Sequence, residues 1–374
     1  NSPTGEDVVE FHVHGSFSVV KKIEEELSKI KLVREANPGE FTKRAFYNNK
    51  IDLLQVEGLG DLLDAYTDLQ RKQAQLSLLG SISKKINVWK RELIELSSFI
   101  ETTIDFSDEV VPEESIVLFN TKLDFLIKQV TEALKKANFS KKIKEGVKII
   151  ITGPPNAGKS SLANNLLDES LSIVNSEAGT TRDIVSSTID LDGVLINVYD
   201  TAGLHETNSE VEREGIKKAI ELSKTSDIQI RIVDGSDHEW KTKLKKVPKL
   251  AKSTIDLVNK ADIKRVKFKK GEKLINISTK TNFGIKGFEE ELKANVKNLA
   301  SQAENPTILR ERHIKISEMI VASLKRTKLI KIEESPELIA EEIRHAISLI
   351  GKITGVIDVE VILDNIFKQF CIGK

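Results

Sequence analysis

Gly153-Pro154-Pro155-Asn156-Ala157-Gly158-Lys159-Ser160 follows the β-branched run Val147 to Thr152 and opens a helical segment. The spacing is G-x-x-x-x-G-K-[ST], and a strand before it and a helix after it are the context in which that pattern is a phosphate-binding loop. The glycines let main-chain N–H groups close around phosphate oxygens, and the following helix adds the positive end of its dipole. Lys159 is placed to reach the β- and γ-phosphates and the Ser160 hydroxyl to ligate Mg²⁺. Ser161 belongs to the same nucleotide-binding set.

Three companion motifs follow in order, each at the end of a strand-like run. The carboxylate of Asp200-Thr201-Ala202-Gly203 can hold the Mg²⁺ shell through water, and the Gly203 N–H can sense the γ-phosphate. In Asn259-Lys260-Ala261-Asp262, the Asp262 carboxylate can accept from guanine N1–H and the exocyclic amine. Adenine lacks both donors on that edge and would leave the carboxylate unpaired, which selects GTP over ATP. Ser278-Thr279-Lys280 can support guanine O6 through backbone N–H groups. The runs that carry them are Ile196–Tyr199, Thr254–Val258 and Leu274–Ile277; a further run, Ile228–Val233, lies between the first two, and helical segments separate most of them. That alternation predicts a parallel sheet with crossover helices and a ligand at the carboxyl ends of its strands.

Hydrolysis needs an oriented water and a positive charge. Small GTPases of the Ras kind carry Gln directly after Asp-x-x-Gly; here the residue is Leu204, which cannot polarise water. Two nearby acids are candidates, Glu206 and Glu212. From the residues alone, Glu212 in Ser209-Glu-Val-Glu-Arg-Glu-Gly215 reads first as a helix-start carboxylate. The Asn156 amide can help ligate a monovalent cation. So can the oxygen-rich loop Asn175-Ser176-Glu177-Ala178-Gly179-Thr180-Thr181-Arg182, with Thr180 and Thr181 offering hydroxyls to the γ-phosphate and Mg²⁺. Potassium accepts such neutral oxygens and can stand where an arginine finger would. The alternative is that these are ordinary loop residues and that Arg182 or a partner supplies the charge.

The flanks have a different texture. Val8-Val9-Glu10-Phe11-His12-Val13-His14 alternates apolar and polar residues and reads as a strand. A helix is expected from about Phe17 to Ile30, and Pro38-Gly39 marks a turn. From Ile51 to Asp105 the pattern is helical, with Leu59, Leu62, Tyr66 and Leu69 on one stripe and Ile86, Trp89, Leu93, Leu96 and Ile100 on another. Pro112 breaks the run, and a further helix fits Ser115 to Ala137. After Ser301 the helical texture returns, with Ile339, Ile343, Ala346 and Ile350 on one face. The α/β block therefore reads as an insertion in a helical domain.

The 374 residues carry 57 Lys+Arg and 57 Asp+Glu. Zero net charge excludes a general polyanion-binding field, so any RNA contact must be local. The Lys-rich stretch Lys241 to Lys252 reads as a solvated face, with an RNA patch as the minority reading. No run approaches the roughly 20 apolar residues of a membrane helix, and no secretory segment opens the chain. The single cysteine, Cys371, excludes an internal disulfide framework and fits a reducing cytoplasm. Met319 is the only methionine, so residue 1 is not an initiator and the N-terminus reads as incomplete.

Asn156-Ala-Gly-Lys-Ser160, Ala178-Gly-Thr-Thr-Arg-Asp183, Asp200-Thr-Ala-Gly-Leu204 and the terminal Cys371-Ile-Gly-Lys374 together resemble the tRNA-modification GTPase family MnmE (TrmE). Thr4-Gly-Glu-Asp7, Pro38-Gly-Glu-Phe41 and Asn49-Lys-Ile-Asp-Leu53 are similar to its N-terminal region, whose first part is expected to be missing. The resemblance implies four segments. Residues 1–48 would be the C-terminal part of an α/β folate-binding, dimerising domain, and 49–144 the first part of a helical domain. Residues 145–301 would be a Ras-like P-loop GTPase domain inserted there, and 302–374 the second helical part with the Cys-x-Gly-Lys motif.

The resemblance also implies residue roles. Asn156, Asn175, Glu177 and Thr180 match potassium ligands, with Asn175 and Glu177 acting through main-chain carbonyls. Ser160 and Thr181 match the magnesium ligands. Glu212 matches the acid that orients the attacking water, which reverses the reading above. Glu10, Lys50 and Lys374 match positions that bind 5-formyltetrahydrofolate or a related one-carbon folate, and Cys371 matches a cysteine needed for the tRNA reaction. His205 stands where Arg is expected in many members, so it would assist only when protonated or by neutral hydrogen bonding.

The implied protein is a homodimer forming a heterotetramer with an FAD-dependent partner protein. It would hydrolyse GTP, activated by potassium, while an aminomethyl or carboxymethylaminomethyl group is placed on C5 of the wobble uridine of tRNA. The alternative class is a regulatory GTP-binding assembly factor of the ribosome-biogenesis type, which shares the core motifs but not the flanks.

Overall fold

The computed structural model describes residues 2–106, 110–169, 187–200, 226–301 and 310–356. Six helices precede the first strand: α1 (Phe17–Ser28), α2 (Glu40–Tyr47), α3 (Leu53–Leu63), α4 (Asp68–Leu78), α5 (Ser81–Asp105) and α6 (Glu113–Glu145). Next come β1 (Val147–Thr152), α7 (Lys159–Glu169), β2 (Ser187–Leu191), β3 (Val194–Asp200) and β4 (Ile228–Asp234). Then follow α8 (Trp240–Lys246), β5 (Ser253–Asn259), β6 (Leu274–Asn276) and α9 (Ile285–Ser301). Two helices, α10 (Glu311–Leu329) and α11 (Pro336–Thr354), complete the described elements. None of these helices is long and apolar enough to cross a membrane.

The chain divides into two compact units, Asn1–Asp64 with Lys72–Lys135 and Thr307–Lys374, and Ala65–Arg71 with Lys136–Pro306. In the helical unit, α5 buries Ile82, Ile86, Trp89, Leu93, Leu96 and Ile100, a three-and-four spacing that puts every one of them on a single stripe. α11 answers with Ile339, Ile343, Ala346 and Ile350. The Trp89 indole N–H, which would be costly to bury unpaired, donates to Gln129 Oε1 at 3.1 Å.

Helix α3 begins at a reciprocal cap: Asp52 Oδ1 accepts from Gln55 N at 2.9 Å, and Gln55 Oε1 accepts from Asp52 N at 3.1 Å. Its buried face is Leu53, Leu54 and Val56. The expected stripe of Leu59, Leu62, Tyr66 and Leu69 does not form. The helix stops at Leu63, Tyr66 is exposed, and a second cap starts α4, with Gln70 Oε1 accepting from Tyr66 N and Thr67 N at 2.9 and 3.1 Å. The helix expected over Ser115–Ala137 is longer, running Glu113–Glu145 from directly after Pro112.

The expected strand over Val8–His14 is also corrected. No strand is found there, and Val9, Phe11 and Val13 are exposed. Alternation alone cannot make a strand: its N–H and C=O groups need a neighbouring ladder, and no described strand lies alongside.

The second unit is a six-stranded sheet in the order β2-β3-β1-β4-β5-β6. β1 pairs in parallel with β3 and β4, β4 with β5, and β5 with β6. Near-continuous Ile/Val runs such as Ile149-Ile150-Ile151 are fully buried, as strands covered on both faces require. Edge strand β2 is antiparallel to β3. Its turn is Asp192-Gly193, with φ of 52° and 84°, the left-handed pair that a two-residue hairpin needs. Segment Ala65–Arg71 packs in this unit: Leu69 N donates to Gly193 O at 3.3 Å and Gln70 Nε2 to Lys144 O at 2.8 Å.

Candidate functional site

Because the five strands other than β2 run in parallel, their carboxyl ends share one edge of the sheet, and the loops leaving β1, β5 and β6 meet there. The loop after β1 turns sharply at Asn156 and Gly158, with φ of 60° and 95°. Gly158 is required twice over. Its φ lies in the left-handed region, and a Cβ there would stand 2.2 Å from Asn259 Nδ2. Helix α7 starts at the next residue and points its N-terminus at the loop. Lys159 is buried, its ammonium donating to Gly153 O at 3.2 Å and Pro154 O at 3.1 Å. Those carbonyls hold the charge beside the loop, where a phosphate oxygen could compete for the same donors.

Asn259, the last residue of β5, is buried and braces the site. Its Nδ2 donates to Ala157 O at 2.8 Å and to Thr279 Oγ1 at 3.3 Å, and its Oδ1 accepts from Thr279 N at 3.1 Å. Lys260 takes a positive φ of 63° and reaches across to β4, where its Nζ lies 2.5 Å from Asp234 Oδ2. Burial opposes ionisation of Asp234. The Lys260 ammonium and the Ser236 hydroxyl and N–H outweigh it and hold the carboxyl below its ordinary range. Asp262 is exposed, and its Oδ1 accepts from Ser278 Oγ at 2.6 Å. The Ser278 hydroxyl in turn accepts from Thr281 N at 3.2 Å, so the carboxylate is aimed by a fixed loop.

These loops surround one cleft of about 730 Å³. Asn156, Gly158, Lys159, Ser160 and Ser161 line it on the α7 side, and Asn259, Lys260, Asp262, Thr279 and Lys280 on the other. Pro155 and Ile263, which the motif reading did not single out, complete the wall. Ala157 and Ser278 are buried behind it as supports. Asp234 was missed as well, although an Asp at the end of an apolar strand run is the signal that marked Asp200. Asp200 itself closes β3, its backbone in register with Ile151.

Glu10 and Lys50 are exposed. Glu10 Oε2 lies 3.4 Å from His12 Nε2, and no hydrogen bond or ion pair among the described residues joins Glu10 to Lys50. Asn175, Ser176, Glu177, Ala178, Gly179, Thr180, Thr181, Thr201, Ala202, Gly203, Glu212, Cys371 and Lys374 lie outside the described residues. So do Arg182, Leu204, His205 and Glu206. Among the described residues, no group of three or more His, Cys, Asp or Glu is arranged to hold a metal.

A polar cluster that no local pattern announced lies in the helical unit. Buried Glu57 on α3 faces the start of α10, with Arg312 Nη2 at 3.0 Å and Arg310 Nε at 3.5 Å from Oε1, and His313 Nε2 at 3.0 Å from Oε2. Arg310 also pairs with Asp61 at 2.7 Å. Burial opposes ionisation of Glu57, but His313 and the two guanidiniums outweigh it and hold the carboxyl down to about 2. Burial pushes the His313 imidazole below its ordinary value. At neutral pH the permanent charges facing Glu57 are therefore the two guanidiniums.

The chain matches a family model described as the MnmE helical domain over residues 53–371, and one described as the GTP-binding protein TrmE N-terminus over residues 1–50. It is 38% identical to the tRNA modification GTPase MnmE of Parvibaculum lavamentivorans, over 99% of this chain and 84% of that protein. The protein of the same description from Rickettsia bellii is 38% identical over 100% of this chain and 84% of its own length. That from Bradyrhizobium sp. is 37% identical with the same coverage.

Proposed function

The chain belongs to the MnmE family of tRNA modification GTPases, and from that premise we propose that it binds and hydrolyses GTP in the cleft at the sheet edge, in the service of tRNA modification. The observation that carries the reading is the Asp262 carboxylate, fixed by Ser278 at 2.6 Å on the wall of the cleft that the phosphate loop closes. A carboxylate held there suits the two donors on the guanine edge, and Lys159 with the α7 N-terminus suits the phosphates.

A hydroxyl and an amide oxygen are donor types that magnesium and potassium accept. The Ser160 hydroxyl is exposed on the first turn of α7, and the Asn156 amide is exposed on the cleft wall. We assign Ser160 and Thr181 to magnesium, and Asn156, Asn175, Glu177 and Thr180 to potassium, on the match of their motifs to the family. Those ions would supply positive charge for the phosphoryl-transfer transition state. Glu212 would orient the attacking water, taking the part that Leu204 cannot. Glu10, Lys50 and Lys374 would bind the folate one-carbon donor, and Cys371 would act in the tRNA reaction. The cytoplasmic homodimer and the FAD-dependent partner belong to the same reading and rest on the same motifs.

The test is GTP turnover in KCl against NaCl at equal ionic strength, with protein concentration varied. Faster turnover in KCl, rising with protein concentration, is expected. Equal rates would remove the potassium site and cation-gated dimerisation. Absence of turnover in both salts would remove the hydrolase reading.

A further inference from the structure

Charge is unevenly spread in this neutral chain. Residues 241–273 hold thirteen Lys or Arg against three Asp or Glu. None of those three acids stands free among the lysines. Asp256 is paired with Arg231 at 2.6 Å, Glu272 lies 3.4 Å from Lys241, and Asp262 is bound by Ser278 at the cleft. Lys245, Lys246, Lys249, Lys252, Lys264, Lys267, Lys270 and Lys273 are exposed, and none has an ion-pair partner among the described residues.

The structure brings the two halves of this stretch together. Helix α8 and the segment after Asp262 share a small core in which Trp240 and Leu244 pack with Val266, Phe268 and Leu274. The Trp240 and Phe268 rings meet edge-on at 6.4 Å. The lysines of α8 and those of residues 264–273 are therefore carried on one fixed scaffold rather than on a free tail. Within the scaffold the Arg265 guanidinium stacks 4.0 Å from the centre of the Phe283 ring, which is itself 40% exposed.

We propose that this face, built by α8 and residues 264–273, binds the phosphate backbone of RNA and so holds the tRNA against the nucleotide-binding unit. The inference rests on the tRNA reading above for the identity of the RNA. Charge complementarity supplies the attraction: a run of unpaired ammonium groups releases the counterions condensed on a polyanion. The stacked Arg265–Phe283 pair offers a planar surface of the kind that unpaired bases use. A membrane surface is the poorer fit, because α8 turns its Trp and Leu inward and leaves only Lys and Thr outside. Since the segment starts two residues after Asp262, RNA held here would lie beside the guanine-binding loop.

The experiment uses the full chain without nucleotide and an unmodified tRNA transcript, titrated over a range of KCl concentrations. K267Q/K270Q is compared with K286Q/K297Q, which removes the same charge from exposed positions on α9. The face variant is expected to lose about tenfold in affinity at about 100 mM salt and to flatten the plot of log K against log salt by one to two units, about 0.7–0.9 per lost phosphate contact. The α9 variant should stay within about twofold of the parent. Equal losses in the two variants, or no loss in the face variant, would overturn the proposal. So would tighter binding to vesicles containing phosphatidylserine than to tRNA at equal anionic charge. GTP turnover is read in parallel: its absence from the parent protein would sink the hydrolase reading and leave the RNA measurement standing.

Discussion

Asn259 Nδ2 donates to Ala157 O at 2.8 Å, tying the end of β5 to the loop after β1 across a separation of 102 residues. The bond is buried, and the same side chain also holds Thr279. The base-recognition loops and the phosphate loop are thus one assembly. Asn259→Ala would leave the Ala157 carbonyl and the Thr279 N–H short of a partner, at about 1–3 kcal/mol. Affinity for GTP, measured with a fluorescent analogue, should fall by roughly tenfold or more while the fold persists. Gly158→Ala should be worse, because its Cβ would meet the Asn259 amide at 2.2 Å. Wild-type affinity in either variant would show that the brace is dispensable.

The Asp262–Ser278 pair makes a separate forecast about the base. Asp262→Asn replaces one acceptor oxygen by an amide NH2, which can donate to the C2 carbonyl of xanthine while the amide oxygen still accepts from N1–H. GTP affinity should drop and affinity for xanthosine triphosphate should rise, each by an order of magnitude or more. Ser278→Ala, which frees the carboxylate to swing, should weaken GTP with no gain for the xanthine nucleotide. Competition binding with the two nucleotides reads both, and unchanged GTP affinity in Asp262→Asn would end the guanine assignment.

How much of this was legible in the chain depends on the range of each interaction. Strands β1 and β3 to β6 could be read because each is a β-branched run, and four of them end just before a residue of a nucleotide-binding motif, Gly153, Asp200, Asn259 or Ser278. Edge strand β2 is hard to read in the sequence although Asp192-Gly193 is a strong hairpin signal, because the strand has only five residues and only Ile189 is buried. The break between α3 and α4 was written in Thr67-Asp-Leu-Gln70, a capping box that an apolar stripe running across it concealed. Val8–His14 shows the opposite failure, a local pattern without a partner strand. Glu57 was invisible for a plain reason. Its partners Arg310, Arg312 and His313 lie about 250 residues away, and a charged residue on a helix carries no local mark of being buried.

That cluster makes the helical unit acid-sensitive. Glu57 titrates at about 2 when folded and near 4.3 when unfolded. A depressed carboxyl contributes stability above its unfolded value and loses it as pH falls toward the folded one. The contribution, on the order of 3 kcal/mol, should therefore be present at pH 7 and fade between about pH 5 and 2. His313, pushed down by burial, acts in the same direction from about pH 6.5, since the unfolded imidazole takes up the proton first. Glu57→Gln strands the two guanidiniums and should lower the melting temperature at pH 7. The gap between variant and parent should narrow as the pH falls to about 4. Thermal unfolding followed by circular dichroism at both pH values checks this, and a gap independent of pH would place the effect outside Glu57 ionisation.

A second buried pair sits within the sheet of the nucleotide-binding unit. Arg231 on β4 donates from Nε and Nη2 to both oxygens of Asp256 on β5, at 2.7 and 2.6 Å, and its Nη1 reaches Val247 O at 2.8 Å. The guanidinium thereby fixes the chain leaving α8 to the face of the sheet. Breaking such a pair from one side leaves a charge buried without its partner, at about 3–5 kcal/mol, whereas replacing both sides by apolar groups costs far less. Asp256→Ala should therefore destabilise the unit strongly, and Arg231→Met with Asp256→Leu should recover most of the loss. Guanidinium chloride unfolding of the single and double variants tests the coupling. If the double variant were as unstable as Asp256→Ala, the pair would owe its place to something other than mutual charge compensation, and the Arg231 bond to the Val247 carbonyl would be the next contact to remove.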